Sequence, residues 1–115
     1  MNSAVVSPAA APPGTPAPAR LLLPATLTAR EASDALRMLV QALPKAAGQV
    51  AVVECGALDQ LDSSAIAVLL ETRRRALLAG IGFELRDPPP KLLALARLYG
   101  VEELLQAGLA PAEPG

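Results

Sequence analysis

The sequence predicts a single small α/β domain, with one mixed sheet of four to five strands covered by about four helices. Three observations carry this expectation. Gln49-Val50-Ala51-Val52-Val53-Glu54 is a β-branched, nearly continuous apolar run, as a buried strand should be. Two stretches of helical spacing flank it, each opened by capping chemistry and closed by Pro or Gly. Element types also alternate through a foldable core of about 90 residues, Arg20 to Leu109, enough for one hydrophobic core.

The elements follow in order. Arg20-Leu21-Leu22-Leu23 and Ala25-Thr26-Leu27 are short extended segments separated by Pro24. Thr28-Ala29-Arg30-Glu31 has the form of a capping box, so a helix is expected from Thr28 to about Leu43, stopped by Pro44. Its inward face would be Ala32, Ala35/Leu36, Leu39/Val40 and Leu43. After the central strand, a seven-residue connection from Cys55 to Leu61 leads to Asp62, a good N-cap. A second helix is expected from Ser63 to about Ala79, burying Ile66, Leu69/Leu70 and Leu77. Glu71 and Arg75 pair at i,i+4 on its outside, and Gly80 is the expected stop. Phe83-Glu84-Leu85-Arg86 alternates like a strand. Asp87-Pro88-Pro89-Pro90 then feeds a third helix, about Lys91 to Tyr99, with Leu92, Leu95/Ala96 and Tyr99 inward. A last short turn or helix spans Val101 to Leu105.

Residues 1–19 carry no charge and no aromatic but five of the twelve prolines, so the sequence predicts a disordered or polyproline-II-like extension there. Residues 110–115 read as a flexible tail, leaving 20–109 as the domain.

Composition removes whole classes of function. Without histidine there is no Ser-His-Asp or Cys-His pair and no His-containing metal site. A single cysteine excludes an internal disulfide framework and a Cys₄ zinc site, and fits a reducing compartment. Ten Lys and Arg against eleven Asp and Glu give a net charge of -1, no electrostatic footprint for nucleic acid. One Tyr, one Phe and no Trp are too few for a base-stacking platform. The apolar runs are far shorter than the roughly 18 residues that span a bilayer, and the proline-broken N-terminus lacks the form of a secretory signal. These features favour a cytoplasmic, non-catalytic binding module with no cofactor and no metal.

The most informative stretch runs from Glu54 to Leu70. A buried strand delivers the chain to a loop that ends at a helix N-terminus bearing Asp62, Ser63 and Ser64. Unpaired backbone N–H groups there form a patch receptive to hydrogen-bond acceptors. A phosphate on a serine at that place would be stabilised by the helix dipole and repelled by Asp62. From spacing alone, N-capping accounts for these residues.

Leu61-Asp62-Ser63-Ser64-Ala65-Ile66-Ala67-Val68-Leu69-Leu70 resembles the signature of STAS domains, the fold of bacterial anti-sigma-factor antagonists. The C-terminal part, Pro90 to Leu105, is most similar to the MlaB-like STAS subunits of Mla phospholipid-transport ABC systems. The resemblance implies a STAS-type domain over nearly the whole core. It implies that Asp62, Ser63, Ser64 and Ala65 form a partner-binding corner, docked in MlaB-like proteins against the ABC-transporter ATPase subunit. Membrane association would then be indirect, through a complex peripheral to the inner membrane. In the antagonists the first hydroxyl after the Asp is the phosphoacceptor of an anti-sigma kinase, and that place falls on Ser63. This chain has Ala65 and Ala67 where the family often has glycine, and Thr28 where antagonists often have an acid, which favours the adaptor over the partner-switching antagonist.

Other candidates have structural explanations. Cys55 reads as a packed thiol, since no histidine is present to activate it. Glu54, Asp59 and Asp62 lack the dense alternation of a calcium loop. Gly80-Ile81-Gly82 precedes a strand and does not open a helix, the wrong context for a phosphate loop. Arg73-Arg74-Arg75 fans round a helix as a solvated face.

Overall fold

Val50–Glu54, the apolar run of the sequence, becomes the middle strand of a parallel sheet. The computed structural model describes residues 19–106. In chain order these form β1 (Ala19–Leu22), β2 (Thr26–Leu27), α1 (Ala32–Ala42), a 3-10 turn (Leu43–Ala46), β3 (Val50–Glu54), β4 (Gln60–Leu61), α2 (Ser63–Leu78), β5 (Gly82–Arg86), α3 (Pro90–Leu98) and α4 (Glu102–Gln106). The expected tail and all but the last residue of the expected N-terminal extension lie outside the described residues. That last residue, Ala19, opens β1.

The strands number five, but among the described residues they form two sheets, and every pairing is parallel. The main sheet has the order β1-β3-β5, with Leu21 opposite Val53 and Val53 opposite Leu85. A separate pair joins β2 to β4, Thr26 opposite Gln60 and Leu27 opposite Leu61. The single mixed sheet expected from sequence is therefore corrected. Each pair of neighbours in the main sheet is separated by a helix, and such a crossover returns the chain in its original direction.

Both crossovers step the same way across the sheet, and right-handed connections then place α1 and α2 on one face. Side-chain burial agrees. Leu21, Ala51, Val53, Phe83 and Leu85 point into one core with Leu39 of α1, Leu69 of α2, Leu92 of α3 and Leu105 of α4. On the other face Glu54 meets Arg20 at 2.9 Å and Arg86 at 3.8 Å, and Arg86 meets Glu84 at 3.4 Å. Alternation in β5 separates these two sets.

Two local expectations are corrected, the start of the first helix and the inward placing of Leu77 and Tyr99. The first helix begins at Ala32, not Thr28. The Thr28 hydroxyl donates to Glu31 Oε1 at 2.7 Å, and the same oxygen accepts the Thr28 N–H at 2.9 Å. Thr28–Glu31 thus closes a turn of its own before the helix starts, and these bonds hold the Glu31 carboxyl below its ordinary range. Pro44 does end α1: the α-helix stops at Ala42, and Pro44 sits in the first turn of the 3-10 segment that follows, where a missing N–H has no cost. Leu77 and Tyr99, expected inward, are 49% and 54% exposed. The buried strip of α2 runs through Ala65, Leu69, Thr72 and Ala76, and Leu77 lies about 100° round the helix from it. Tyr99 caps the C-terminal end of α3 rather than continuing its inner face.

Candidate functional site

The corner at Asp62 is built by pinning a loop at both ends. At the end of β3 the Cys55 N–H donates to the Arg86 carbonyl at 2.8 Å, fixing the loop to β5. Leu58 is buried beneath the loop, and the Asp59 and Gln60 N–H groups both donate to the Ala25 carbonyl, at 2.8 and 2.9 Å. The β2–β4 pair then brings the start of α2 beside the turn that precedes α1.

Asp62 occupies this junction in extended backbone, which suits an N-cap. Its Oδ1 accepts the Ser64 N–H at 2.8 Å, and its Oδ2 accepts the Ala29 N–H at 3.2 Å. The Ser64 N–H is the main reason the Asp62 carboxyl lies below the usual carboxylate range. Partial desolvation opposes it, and the Ala29 N–H adds to it. Ser63 is exposed, and its hydroxyl has no hydrogen-bond partner among the described residues. Ser64 is half-buried. Ala65 is fully buried, its methyl packed in the core. The structure therefore brings Asp62, Ser63 and Ser64 to one surface corner and sets Ala65 beneath it.

Beside the corner is a hollow of about 420 Å³, walled by Ser64, Ala67 and Glu71 of α2 and by Ala32, Ser33 and Leu36 of α1. The side of α2 turned away from the sheet mixes apolar and charged residues: Ala67, Leu77 and Leu78 are exposed beside Ser63, Arg74 and Arg75, and Leu70 and Glu71 are half-buried. The charges on this side are mutually engaged. Glu71 accepts from Arg74 at 2.6 Å and from Arg75 at 2.7 Å, which pulls its carboxyl down to about 2. The arginine run is thus in part a clasp on Glu71.

The remaining candidates fall into structural places. Cys55 is fully buried and its Sγ donates to the Val53 carbonyl at 3.6 Å; burial pushes the thiol up to about 12. Glu54 is ion-paired to Arg20 and Asp62 caps α2. Among the described residues no three His, Cys, Asp or Glu side chains converge on a metal position. Gly80 ends α2 with φ +75°, and the Ile81 N–H donates back to Ala76 at 2.8 Å, so Gly80-Ile81-Gly82 is a helix stop. No helix among the described residues is long and apolar enough to cross a membrane.

Sequence reasoning missed Ala29, Ser33 and Leu36 as members of the corner. They come from a segment some 30 positions upstream, and their local spacing signals only the face of a helix.

A sheet with all its helices on one face, a pinned loop and an Asp-Ser-Ser helix start define a STAS-type domain. Comparison with protein families agrees: residues 11–106 match the family described as the MlaB STAS domain, and the chain belongs to that family. Comparison with curated proteins gives no match.

Proposed function

We propose that this protein is a non-catalytic adaptor subunit that binds the ATPase of an Mla-type phospholipid-transport ABC transporter and supports its assembly and activity. The observation that carries this reading is the Ser63 hydroxyl. It is exposed and has no hydrogen-bond partner among the described residues, and it stands at the tip of a corner that Asp62 makes rigid. Membership of the MlaB STAS family supports an adaptor-type role for this corner. The adaptor acts by differential binding, stabilising whichever ATPase conformation it contacts better. Asp62, Ser63 and Ser64 make the contact, and Ala65 supports it from the core. The protein is cytoplasmic and reaches the inner membrane only through the complex.

The test is co-purification of the full chain with the candidate ATPase, together with ATP turnover of the complex. Ser63→Arg is expected to weaken complex formation at least tenfold while the far-UV spectrum stays that of the wild type. Ser63→Ala is expected to retain the complex. Unchanged assembly and turnover in both Ser63→Arg and Ser63→Asp would remove this corner from the contact.

The free Ser63 hydroxyl also favours a second reading, an anti-sigma-factor antagonist switched by phosphorylation. The helix N-terminus would stabilise the phosphate and Asp62 would oppose it. Incubation with a candidate anti-sigma kinase distinguishes the two. A phosphate mass increment abolished by Ser63→Ala supports the antagonist, and its absence in the presence of a stable ATPase complex supports the adaptor.

A further inference from the structure

Among the described residues the main sheet is open at β1, where no strand pairs with its outer side. The Leu23 N–H donates to the Glu54 carbonyl at 3.0 Å, and Leu21 is in register with Val53. Ala19, Leu21 and Leu23 therefore turn their backbone groups to β3, and Arg20 and Leu22 turn theirs outward. Both outward residues are exposed, Leu22 to 70%. Two places before Arg20 and two places after Leu22 the sequence has Pro18 and Pro24, which have no N–H to offer. The run Pro-Ala-Arg-Leu-Leu-Leu-Pro is thus symmetric about Leu21 in what its outward places can donate.

Apolar surface continues from this edge onto α1. A hollow of about 230 Å³ lies between them, walled by Arg20, Leu21, Leu22, Met38, Leu39 and Ala42. A second of about 280 Å³ shares Met38 and runs on past Ala35 and Asp34 to Pro24. Met38, common to both, is 48% exposed. The 3-10 turn after α1 lies against both β1 and β3, so the helix ends over the join of the two strands. An open edge of this kind is a template for pairing with another chain.

We propose that β1 pairs with β1 of a second copy, antiparallel about a two-fold axis at Leu21, so that the two main sheets become one. Arg20 then lies opposite Leu22 of the second copy, and Leu22 opposite its Arg20, with two hydrogen bonds in each pair. Every outward N–H and C=O of these residues is met. Centring the axis on Arg20 sets the two arginines opposite each other. Centring it on Leu22 turns the Arg20 carbonyl to Pro24, which has no N–H. In the register at Leu21 the Arg20 stem covers Leu22 of the second copy, and its charge is already met by Glu54 at 2.9 Å.

The helices fit the same axis. Strands ~4.8 Å apart set the two α1 ends, each over its own β1–β3 join, roughly 10 Å apart, the distance at which helices pack. Met38 and Ala42 are the α1 residues that flank Leu21 on its exposed side, so the axis passes between them and Met38 of each copy lies beside Ala42 of the other. Asp34, one turn before Met38, comes beside Lys45 of the second copy, about one turn after Ala42. These are opposite charges at exposed positions. An extended segment of another protein fills the edge but leaves Met38 bare and brings no cation to Asp34. None of Asp62, Ser63 and Ser64 takes part, so the inference stands apart from the adaptor reading.

The experiment is sedimentation equilibrium of the full chain over a concentration series reaching ~1 mM, with backbone amide exchange followed by NMR. A species of twice the 11.8 kDa chain mass is expected, with the Arg20 and Leu22 amides slowed in step with its formation. The Leu21 and Leu23 amides, turned to β3, should be slow at every concentration. Leu22→Lys and Met38→Asp, both at exposed positions, should each weaken the dimer at least tenfold with the far-UV spectrum unchanged. Lys45→Asp should weaken it a few-fold, and Asp34→Lys/Lys45→Asp should restore it. A monomer throughout the series overturns the inference, as does a charge swap that fails to restore a weakened dimer. A dimer in which Arg20 and Leu22 exchange freely overturns it too, since that dimer forms on another face. Slow exchange at those two amides in a monomer also overturns it, giving the edge to the chain's own residues before Ala19.

Discussion

Asp62 reaches back across 33 positions of sequence to Ala29. Its Oδ2 accepts the Ala29 N–H at 3.2 Å while its Oδ1 caps α2 through Ser64 at 2.8 Å. One carboxylate thus ties the start of α2 to the turn before α1 and fixes the surface on which Ser63 stands. Asp62→Ala removes both bonds and is expected to lower the melting temperature by several degrees, with faster hydrogen exchange at the Ala29 and Ser64 amides. Asp62→Asn keeps one acceptor oxygen and should lose less. Because the folded carboxyl titrates below the unfolded value of 3.8, its contribution is present above that value and is lost as acid takes the pH through the folded pKa. Melting curves from pH 7 to pH 2 should show a smaller acid loss in Asp62→Asn than in wild type, the remainder coming from Glu31, Glu71 and Glu102.

Local chemistry and long-range geometry were unequally legible in the sequence. The central strand, the Asp62 cap, the Gly80 stop and the Glu71 to Arg75 pair each depend on residues within four positions of one another, and each is present in the structure. The two-residue β2–β4 pairing left no trace, because neither Thr26-Leu27 nor Gln60-Leu61 is long enough to show a period. The Thr28 to Glu31 carboxylate contact was legible, but the same bonds also describe an isolated turn, which is the form they take. The corner showed its α2 half and hid its α1 half. Only the fold brings Ala29 and Ser33 beside Ser64.

Leu69 and Leu77 separate the two faces of α2. Leu69 is fully buried against the sheet, and Leu77 is half-exposed. Leu69→Ala is expected to cost about 2–5 kcal/mol in urea unfolding, from lost burial and the cavity left behind. Leu77→Ala should stay within about 0.5 kcal/mol. Equal costs would mean that Leu77 belongs to the core and that the outer face of α2 is narrower than described.

Cys55 offers a chemical test of the core. Its thiol is fully buried and pushed from 9.0 up to about 12. In the folded protein at pH 8 it should resist thiol reagents and react at full stoichiometry only in denaturant. A raised folded pKa favours the protonated, folded form below the unfolded value, so stability should decline as pH climbs from about 9 toward 12. Cys55→Ala should flatten that alkaline limb. Rapid labelling of the native protein would mean that the loop above Cys55 opens readily.

Glu71 ties stability to a pair of ion bridges on the outside of α2. Arg74 first and Arg75 second hold its carboxyl down at about 2, against an ordinary value of 4.5. A depressed folded pKa stabilises the protein above the unfolded value, and that contribution disappears as pH falls from about 4.5 through about 2. Glu71→Gln should therefore flatten this part of the acid limb, while added salt, which screens exposed pairs, should shrink the wild-type effect.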